Sequence, residues 1–500
     1  MTLHLFNSLT RQLEDFAPLV GNEARVYTCG PTVYNYQHIG NMRAYVFADT
    51  LGRALRFKGY DLKHVINITD VGHLTSDADA GDDKMEQAAT AQGKTAWDIA
   101  KFYQADFETD LARLNIRPTD HPRATDYVEA MIDWAKSIAD KHCYVLEGGL
   151  YFDTSTVPNY GRLARANTDD GQSRIDPVPG KRHATDFAIW RTTPPGEKRQ
   201  MEWDSPWGRG APGWHLECSV MSGAILGFPF DIHTGGIDHR EIHHPCEIAQ
   251  NQAHEHSADS GARIWMHNNF LIDRRGKMSK SSGEFLRLQT LVDKGFHPLA
   301  YRMMCLQAHY RSEMEFTWEG LAAAFTRLKR IYKDFEGLRI RNHDVARETW
   351  QFFEFGEGSY RRNPRQLIGF EKPLNYLTEF ESAICDDLNT AKALTFMEKA
   401  IRDKELTLAD RIRVGSLMDA CLGLGLTTAR RSNLRLMPNS IKSEYAGLDN
   451  KDVTSLIRAR KVFKKLRRFE DADTIKTLLV KVGVEVMDGD PLGWDWKIVV

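Results

Sequence analysis

Between residues 25 and 70 a short strand pattern, a helix with one apolar face and a second strand pattern follow one another. No other feature of the chain restricts its fold as strongly. Residues 25–29 open this unit, with Val26 and Tyr27 as good strand formers. After Gly30 and Pro31, the apolar residues Ala44, Phe47, Leu51 and Leu55 recur at the spacing of one buried helical face. Gly59 stops that helix, and His64-Val-Ile-Asn-Ile68 reads as the second strand. A right-handed crossover returns the second strand parallel to the first. An α/β fold with a doubly wound parallel sheet is therefore expected. Such sheets hold ligands beyond the carboxyl ends of their strands, where Cys29, His38 and Thr69 would lie.

One such sheet does not use up the chain. At about 150 residues per domain, 500 residues suggest roughly three cores. The α/β pattern occupies 1–117 and returns over 213–316. Between them, 118–212 gathers Val178-Pro-Gly180, Pro194-Pro-Gly196, Trp190, Trp203 and Trp207, and reads as a loop-rich insertion lying partly over the site. Over 317–432 the pattern is helical: Leu321, Phe325, Leu328 and Phe335 share a face, and Asn389-Thr390 caps a helix beginning near Ala391. The polar stretch 433–450 resembles a linker to a small terminal module over 450–500.

Hydrophobic residues at 42% and charged residues at 27% describe an ordinary globular protein and exclude a collagen, a coiled-coil rod or a disordered chain. No stretch approaches the ~20 apolar residues of a membrane span, and the N-terminus lacks a signal-peptide pattern, so a cytoplasmic protein without membrane contact is expected. Seven irregularly spaced cysteines do not form a disulfide framework and read as thiols or metal ligands. Lys+Arg 66 against Asp+Glu 68 gives no global basic field, although a local stripe can still serve RNA. The most basic run is Arg458, Arg460, Lys461, Lys464, Lys465, Arg467 and Arg468. It is either a solvated helix face or a patch for RNA phosphates with Trp494 and Trp496 as stacking surfaces, and composition does not choose.

Two short signatures carry chemistry. His38-Ile-Gly-Asn41 sits at the mouth of the first helix, where glycine admits a nucleotide to the backbone and the helix N-terminus presents N–H groups to phosphates. Lys277-Met-Ser-Lys-Ser281 places two lysines among hydroxyls before a glycine, a cationic loop suited to a triphosphate. A third constellation comprises Cys29, Cys218, His243 and Glu247; the last two are four apart and share a helical face. Two thiolates, an imidazole and a carboxylate make a reasonable zinc set, but buried cysteines are also commonly inert, and no C-x-x-C occurs anywhere.

The two signatures resemble the HIGH and KMSKS motifs of class I aminoacyl-tRNA synthetases, with Asn41 in place of the second histidine. Tyr27-Thr-Cys-Gly-Pro-Thr-Val-Tyr34, Asn67-Ile-Thr-Asp70, Asp186-Phe-Ala-Ile-Trp190, Trp203-Asp-Ser-Pro-Trp-Gly208, Gly213-Trp-His-Leu-Glu-Cys-Ser219 and Asp386-Asp-Leu-Asn-Thr390 look, more narrowly, like the cysteinyl-tRNA synthetase family. The resemblance runs in order over nearly the whole chain. It implies a class I catalytic domain with an inserted module, a helical bundle on the tRNA stem side and a small anticodon-binding domain. It implies zinc on Cys29, Cys218, His243 and Glu247, and a substrate pocket containing Thr69, Trp214 and His233. His38, Gly40, Asn41, Lys277, Met278, Ser279, Lys280 and Ser281 would bind ATP with Mg²⁺, with His38 at the α-phosphate and Lys277 and Lys280 at the leaving pyrophosphate. The implied activity is ligation of L-cysteine to tRNA(Cys) through an adenylate, by a monomer.

Two departures mark a divergent branch. Residues 71–81 intervene before Asp82-Asp-Lys84, and His243-His-Pro-Cys-Glu247 stands where the family reads His-His-Glu-Asn-Glu, which adds Cys246 as a competing ligand and puts Pro245 in a first helical turn. The sequence also admits two alternatives: a ligase transferring activated cysteine to a small amine, and a non-catalytic RNA-binding paralogue.

Overall fold

The structure, a computed structural model, describes residues 1–71, 84–117, 119–164, 178–258, 261–273, 286–342, 345 and 372–498, with the backbone alone at 276–277 and 371. The expected strand–helix–strand unit is present as β1 (Glu23–Thr28), α1 (Ile39–Phe57) and β2 (Asp61–Ile66), with Gly59 at φ +90° just past the helix. After the insertion the chain returns as α2 (Trp214–Leu226), β3 (Phe230–Gly236), α3 (His243–Glu255) and β4 (Ala262–Asn268).

These strands form one parallel sheet in the order β4-β3-β1-β2, in register through Val26↔His64, Val26↔Ile232 and Ile264↔Ile232. The doubly wound α/β expectation is met. The winding direction reverses between β1 and β3, so the crevice beyond their carboxyl ends is where such a sheet takes its ligand.

α1 differs from expectation in being buried on nearly every side rather than on one face. Its far side packs on the helices that follow the sheet. That burial is tolerated because its charges are paired: Asp49 accepts from Arg53 Nε at 2.7 Å and from Arg302 Nη2 at 2.6 Å, and the two guanidiniums also donate to the carbonyls of Asn115, Ala420 and Leu422. Arg43 likewise spends its guanidinium on five main-chain carbonyls, from Asn269, Phe270, His309, Tyr310 and Ser312.

Residues 118–212, expected to be loop-rich, instead build a helix (Val128–His142) and a four-stranded antiparallel sheet from Cys143–Leu146, Gly149–Phe152, Phe187–Thr192 and Gly210–Pro212. Proline and glycine punctuation marks its turns, while Trp190 is fully buried in a strand. The helical region consists of Pro298–Leu306, Trp318–Arg341, Glu371–Cys385, Thr390–Arg402 and Leu408–Leu422. Leu321, Phe325, Leu328 and Phe335 are all buried, and Asn389 caps its helix by accepting from Lys392 N, as expected.

At the C-terminus, helices Asn450–Lys465 and Phe469–Lys481 pack on a hairpin of Val484–Val486 and Trp494–Trp496. Trp494 and Trp496 are not exposed stacking surfaces: they are buried edge-to-face in the small core with Val453, Ile457 and Leu479. Arg460 is also withdrawn from the basic run, buried and held by both oxygens of Asp488 at 2.6 and 2.9 Å. The stretch read as a linker packs as well, since Arg435 lies 3.6 Å over the Trp494 ring and donates to its carbonyl. Among the described residues no helix is long and apolar enough to cross a membrane.

Candidate active site

At the switch between β1 and β3, the chain leaving β1 must turn at once under the neighbouring Asn67 segment. Gly30 permits this: a Cβ there would stand 1.4 Å from the Asn67 carbonyl oxygen, and its own N–H donates to Asn67 Oδ1 at 2.7 Å. The turn leads to His38, the N-cap of α1, whose Nδ1 accepts from Asn41 N at 3.2 Å. With Nδ1 used as acceptor, the neutral ring carries its proton on Nε2. Gly40 leaves room for that ring, because a Cβ there would lie 2.8 Å from it. Asn41 Oδ1 is buried and makes no hydrogen bond among the described residues.

These residues line one side of a cleft of about 300 Å³. Cys29, Trp214, Asp238, His239 and Asn268 line other parts of it, so the first signature shares one space with Cys29 of the expected donor set. Lys277 enters the description only as a backbone position paired with Ile272, one residue from the cleft residue Leu271. Met278, Ser279, Lys280 and Ser281 lie outside the described residues, as do residues 72–81 of the expected insertion.

The four expected metal donors meet. Cys29 leaves the end of β1, Cys218 lies in α2, and His243 and Glu247 stand on the first turns of α3, where Pro245 is accommodated. Cys29 Sγ is 3.9 Å from Cys218 Sγ, Cys218 Sγ 3.4 Å from His243 Nε2, and His243 Nε2 3.0 Å from Glu247 Oε1. Zinc with Zn–S and Zn–N bonds of about 2.3 and 2.0 Å in a tetrahedron requires separations of roughly 3.8 Å between sulfurs and 3.5 Å between sulfur and nitrogen. The donor set fits. A second set overlaps it: His233 and His244 join Cys29 and Glu247, with their ligand atoms all within 4.8 Å of one another. Cys246 belongs to neither set, and its Sγ lies 3.4 Å from the Tyr160 hydroxyl.

The electrostatics suit a cation. The bond from the Cys29 thiol, with help from His243, brings the Cys218 thiol down to about 6 against the opposing effect of burial. Burial and that same shared proton push Cys29 up. Burial disfavours the charge on Glu247, yet the His233 and His243 imidazoles bring it to about 2. Burial also opposes protonation of His243, but Cys218 and Glu247 raise it to about 10.

The expected pocket residues attach to this core. His233 Nε2 is 2.9 Å from Glu247 Oε2, Trp214 packs on the His243 ring at 4.6 Å, and the Thr69 hydroxyl donates to Glu217 Oε2 at 2.8 Å. Outer contacts escape sequence reasoning. His215 meets His243 through their Nδ1 atoms at 2.9 Å, and His244 reaches Cys29 Sγ at 3.3 Å and His267 at 2.8 Å. Glu217 is fully buried, and burial with the neighbouring Cys218 holds its carboxyl well above the usual range, which favours its protonated form. The one available signal was a lone carboxylate in the otherwise apolar stretch of α2.

Residues 15–326 match the model of the class I tRNA synthetase (C) catalytic domain. A cysteine--tRNA ligase of Novosphingobium aromaticivorans is 59% identical over 99% of this chain and 97% of its own length. The chain belongs to the cysteine--tRNA ligase family. The enzyme of that name from Zymomonas mobilis is 49% identical over 98% and 97% of the two chains. A crystal structure of Mycobacterium tuberculosis methionyl-tRNA synthetase shares the fold at a TM-score of 0.51, with 14% identity, over 81% of this chain and 90% of that one. As a cysteine--tRNA ligase the protein performs ATP-dependent ligation of cysteine to tRNA, and the amine-transferring and non-catalytic alternatives give way to that reading.

Proposed function

We propose that ligation proceeds through a cysteinyl-adenylate formed in the cleft at the β1/β3 switch, with the thiol read by the donors beneath it. The observation that carries this reading is the shared space: His38, Gly40 and Asn41 line the same cleft as Cys29 and Trp214. A carboxylate attacks an anionic phosphate poorly, so the chain's task is alignment and charge stabilisation. His38 Nε2–H donates to the α-phosphate region as charge develops, and Asn41 Oδ1 offers a buried acceptor to the nucleotide. Lys277 and Lys280 steady the departing pyrophosphate, and Mg²⁺ enters with ATP as part of the substrate.

Cys29, Cys218, His243 and Glu247 are the preferred zinc donors, because they include both thiols at tetrahedral separation. A zinc ion held there would supply a soft Lewis-acidic centre that favours a thiolate over the hydroxyl of serine. Thr69, Trp214 and His233 shape the pocket around the side chain. The antiparallel insertion lies beside the catalytic sheet, the bundle serves the tRNA stem and residues 450–500 the anticodon end, in a cytoplasmic monomer.

ATP–pyrophosphate exchange tests the assignment. It is expected to depend on cysteine and to fall at least a hundredfold in His38→Ala with zinc content unchanged. Exchange that survives this substitution would contradict the role given to His38.

A further inference from the structure

The helix Lys84–Gln92 borders the cleft through Lys84, one of its lining residues, and the helix Ala96–Arg113 packs against that helix. Tyr36 precedes the cleft residues Gln37 and His38 and sets its ring against the helix Ala96–Arg113. It meets Phe102 edge-on at 6.1 Å and Tyr103 at 5.0 Å, and Phe102 and Tyr103 meet each other at 5.1 Å. Two cations sit on these rings. The Arg287 guanidinium lies 3.1 Å over Tyr36, and the Lys94 ammonium lies 5.0 Å over Phe102.

Tyr103 is buried and Tyr36 half-buried, but Phe102 is 45% exposed, and Lys94 on its ring and Lys101 before it in the chain are exposed too. The carboxylates nearby have partners: Asp98 closes a capping box with Thr95, and Asp106 is 3.5 Å from Arg287. An exposed ring with an ammonium group on it matches unpaired nucleotides, since any base has a face to stack and each phosphate a charge to pair. Ligation to tRNA requires the terminal ribose to enter the cleft, which brings the nucleotides just before it to the cleft mouth, and Tyr36 with its aromatic neighbours stands on one side of that mouth.

We propose that Phe102, with Lys94, is a stacking and phosphate contact for the unpaired 3′ nucleotides of tRNA as they pass into the cleft. The proposal rests on the cleft being the activation site, and deepens that reading by naming where the RNA enters. Phe102 and Lys94 act on RNA alone and have no part in adenylate formation.

The test compares equilibrium binding of intact tRNA(Cys) with that of the same RNA trimmed of its unpaired 3′ nucleotides. Cysteine-dependent ATP–pyrophosphate exchange is measured alongside. Phe102→Ala is expected to weaken the intact RNA about tenfold, leave the trimmed RNA unaffected and keep exchange at the parental rate. Phe102→Trp restores the affinity, and Lys94→Ala lowers the salt slope for intact RNA by about one while sparing exchange. Equal weakening of both RNAs, no weakening of either, or a fall in exchange matching the fall in binding would overturn the proposal. Failure of exchange in the parental enzyme would instead overturn the activation site itself.

Discussion

One methyl group at Gly30 would decide whether the site forms, because no side-chain movement relieves a clash between backbone atoms. Gly30→Ala is expected to cost more than about 3 kcal/mol, read as a lowered urea midpoint in soluble material. Glu217 makes a different demand. Since burial disfavours its ionisation, Glu217→Gln preserves shape and should stay within about 1 kcal/mol of the parent, whereas Glu217→Ala leaves a buried hole and removes the acceptor of the Thr69 hydroxyl. Thermal unfolding of the pair checks this; equal losses would mean that the carboxyl is ionised. The residues of the site were legible in the sequence where they sit in short contiguous strings, as His38, Gly40 and Asn41 do. Glu217 and His244 were not, because their meaning comes from Thr69 and His267, which are 148 and 23 positions away.

Among the elements, α1 joins the sheet to the bundle through the Asp49–Arg53–Arg302 cluster. Burial alone would raise the Asp49 carboxyl, but the two guanidiniums and the Arg117 N–H hold it below the ordinary range. A depressed folded-state value means stability that is present above the unfolded value of about 4 and is lost as pH falls below it. Asp49→Asn is therefore expected to cost about 3–5 kcal/mol near neutral pH, with the gap to the parent narrowing as pH drops from about 5 to about 3. Urea unfolding across that range measures it, and a gap independent of pH would count against the pairing. The 3.6-residue periodicity disclosed α1, but it recorded only the face toward the sheet. The polar face read as solvent because Arg302 lies 253 residues from Asp49. The antiparallel insertion was hidden for a related reason: Gly149–Phe152 pairs with Phe187–Thr192 across a long intervening stretch, and turn residues dominate the local pattern.

For the whole molecule, the order of parts was readable because composition changes along the chain, but surface and core could not be told apart within the last part. In Trp494-Asp-Trp496 both indoles turn inward and bond Thr454 and Asn450, at 3.3 and 2.8 Å. Trp494→Ala should remove about 3–5 kcal/mol from this small core. Aminoacylation of tRNA should then fall while cysteine-dependent exchange persists, since the cleft is formed by other elements; loss of both together would show that the module supports the catalytic fold. The donor tetrad likewise unites three chain segments that no local spacing connects. The most direct test of its role is zinc content measured with the ratio of cysteine- to serine-dependent exchange on one preparation, before and after substitution Cys218→Ala. Recognition of the thiol by zinc on this tetrad means that metal and preference for cysteine are lost together. A metal-free variant that still rejects serine as the parent does would contradict it.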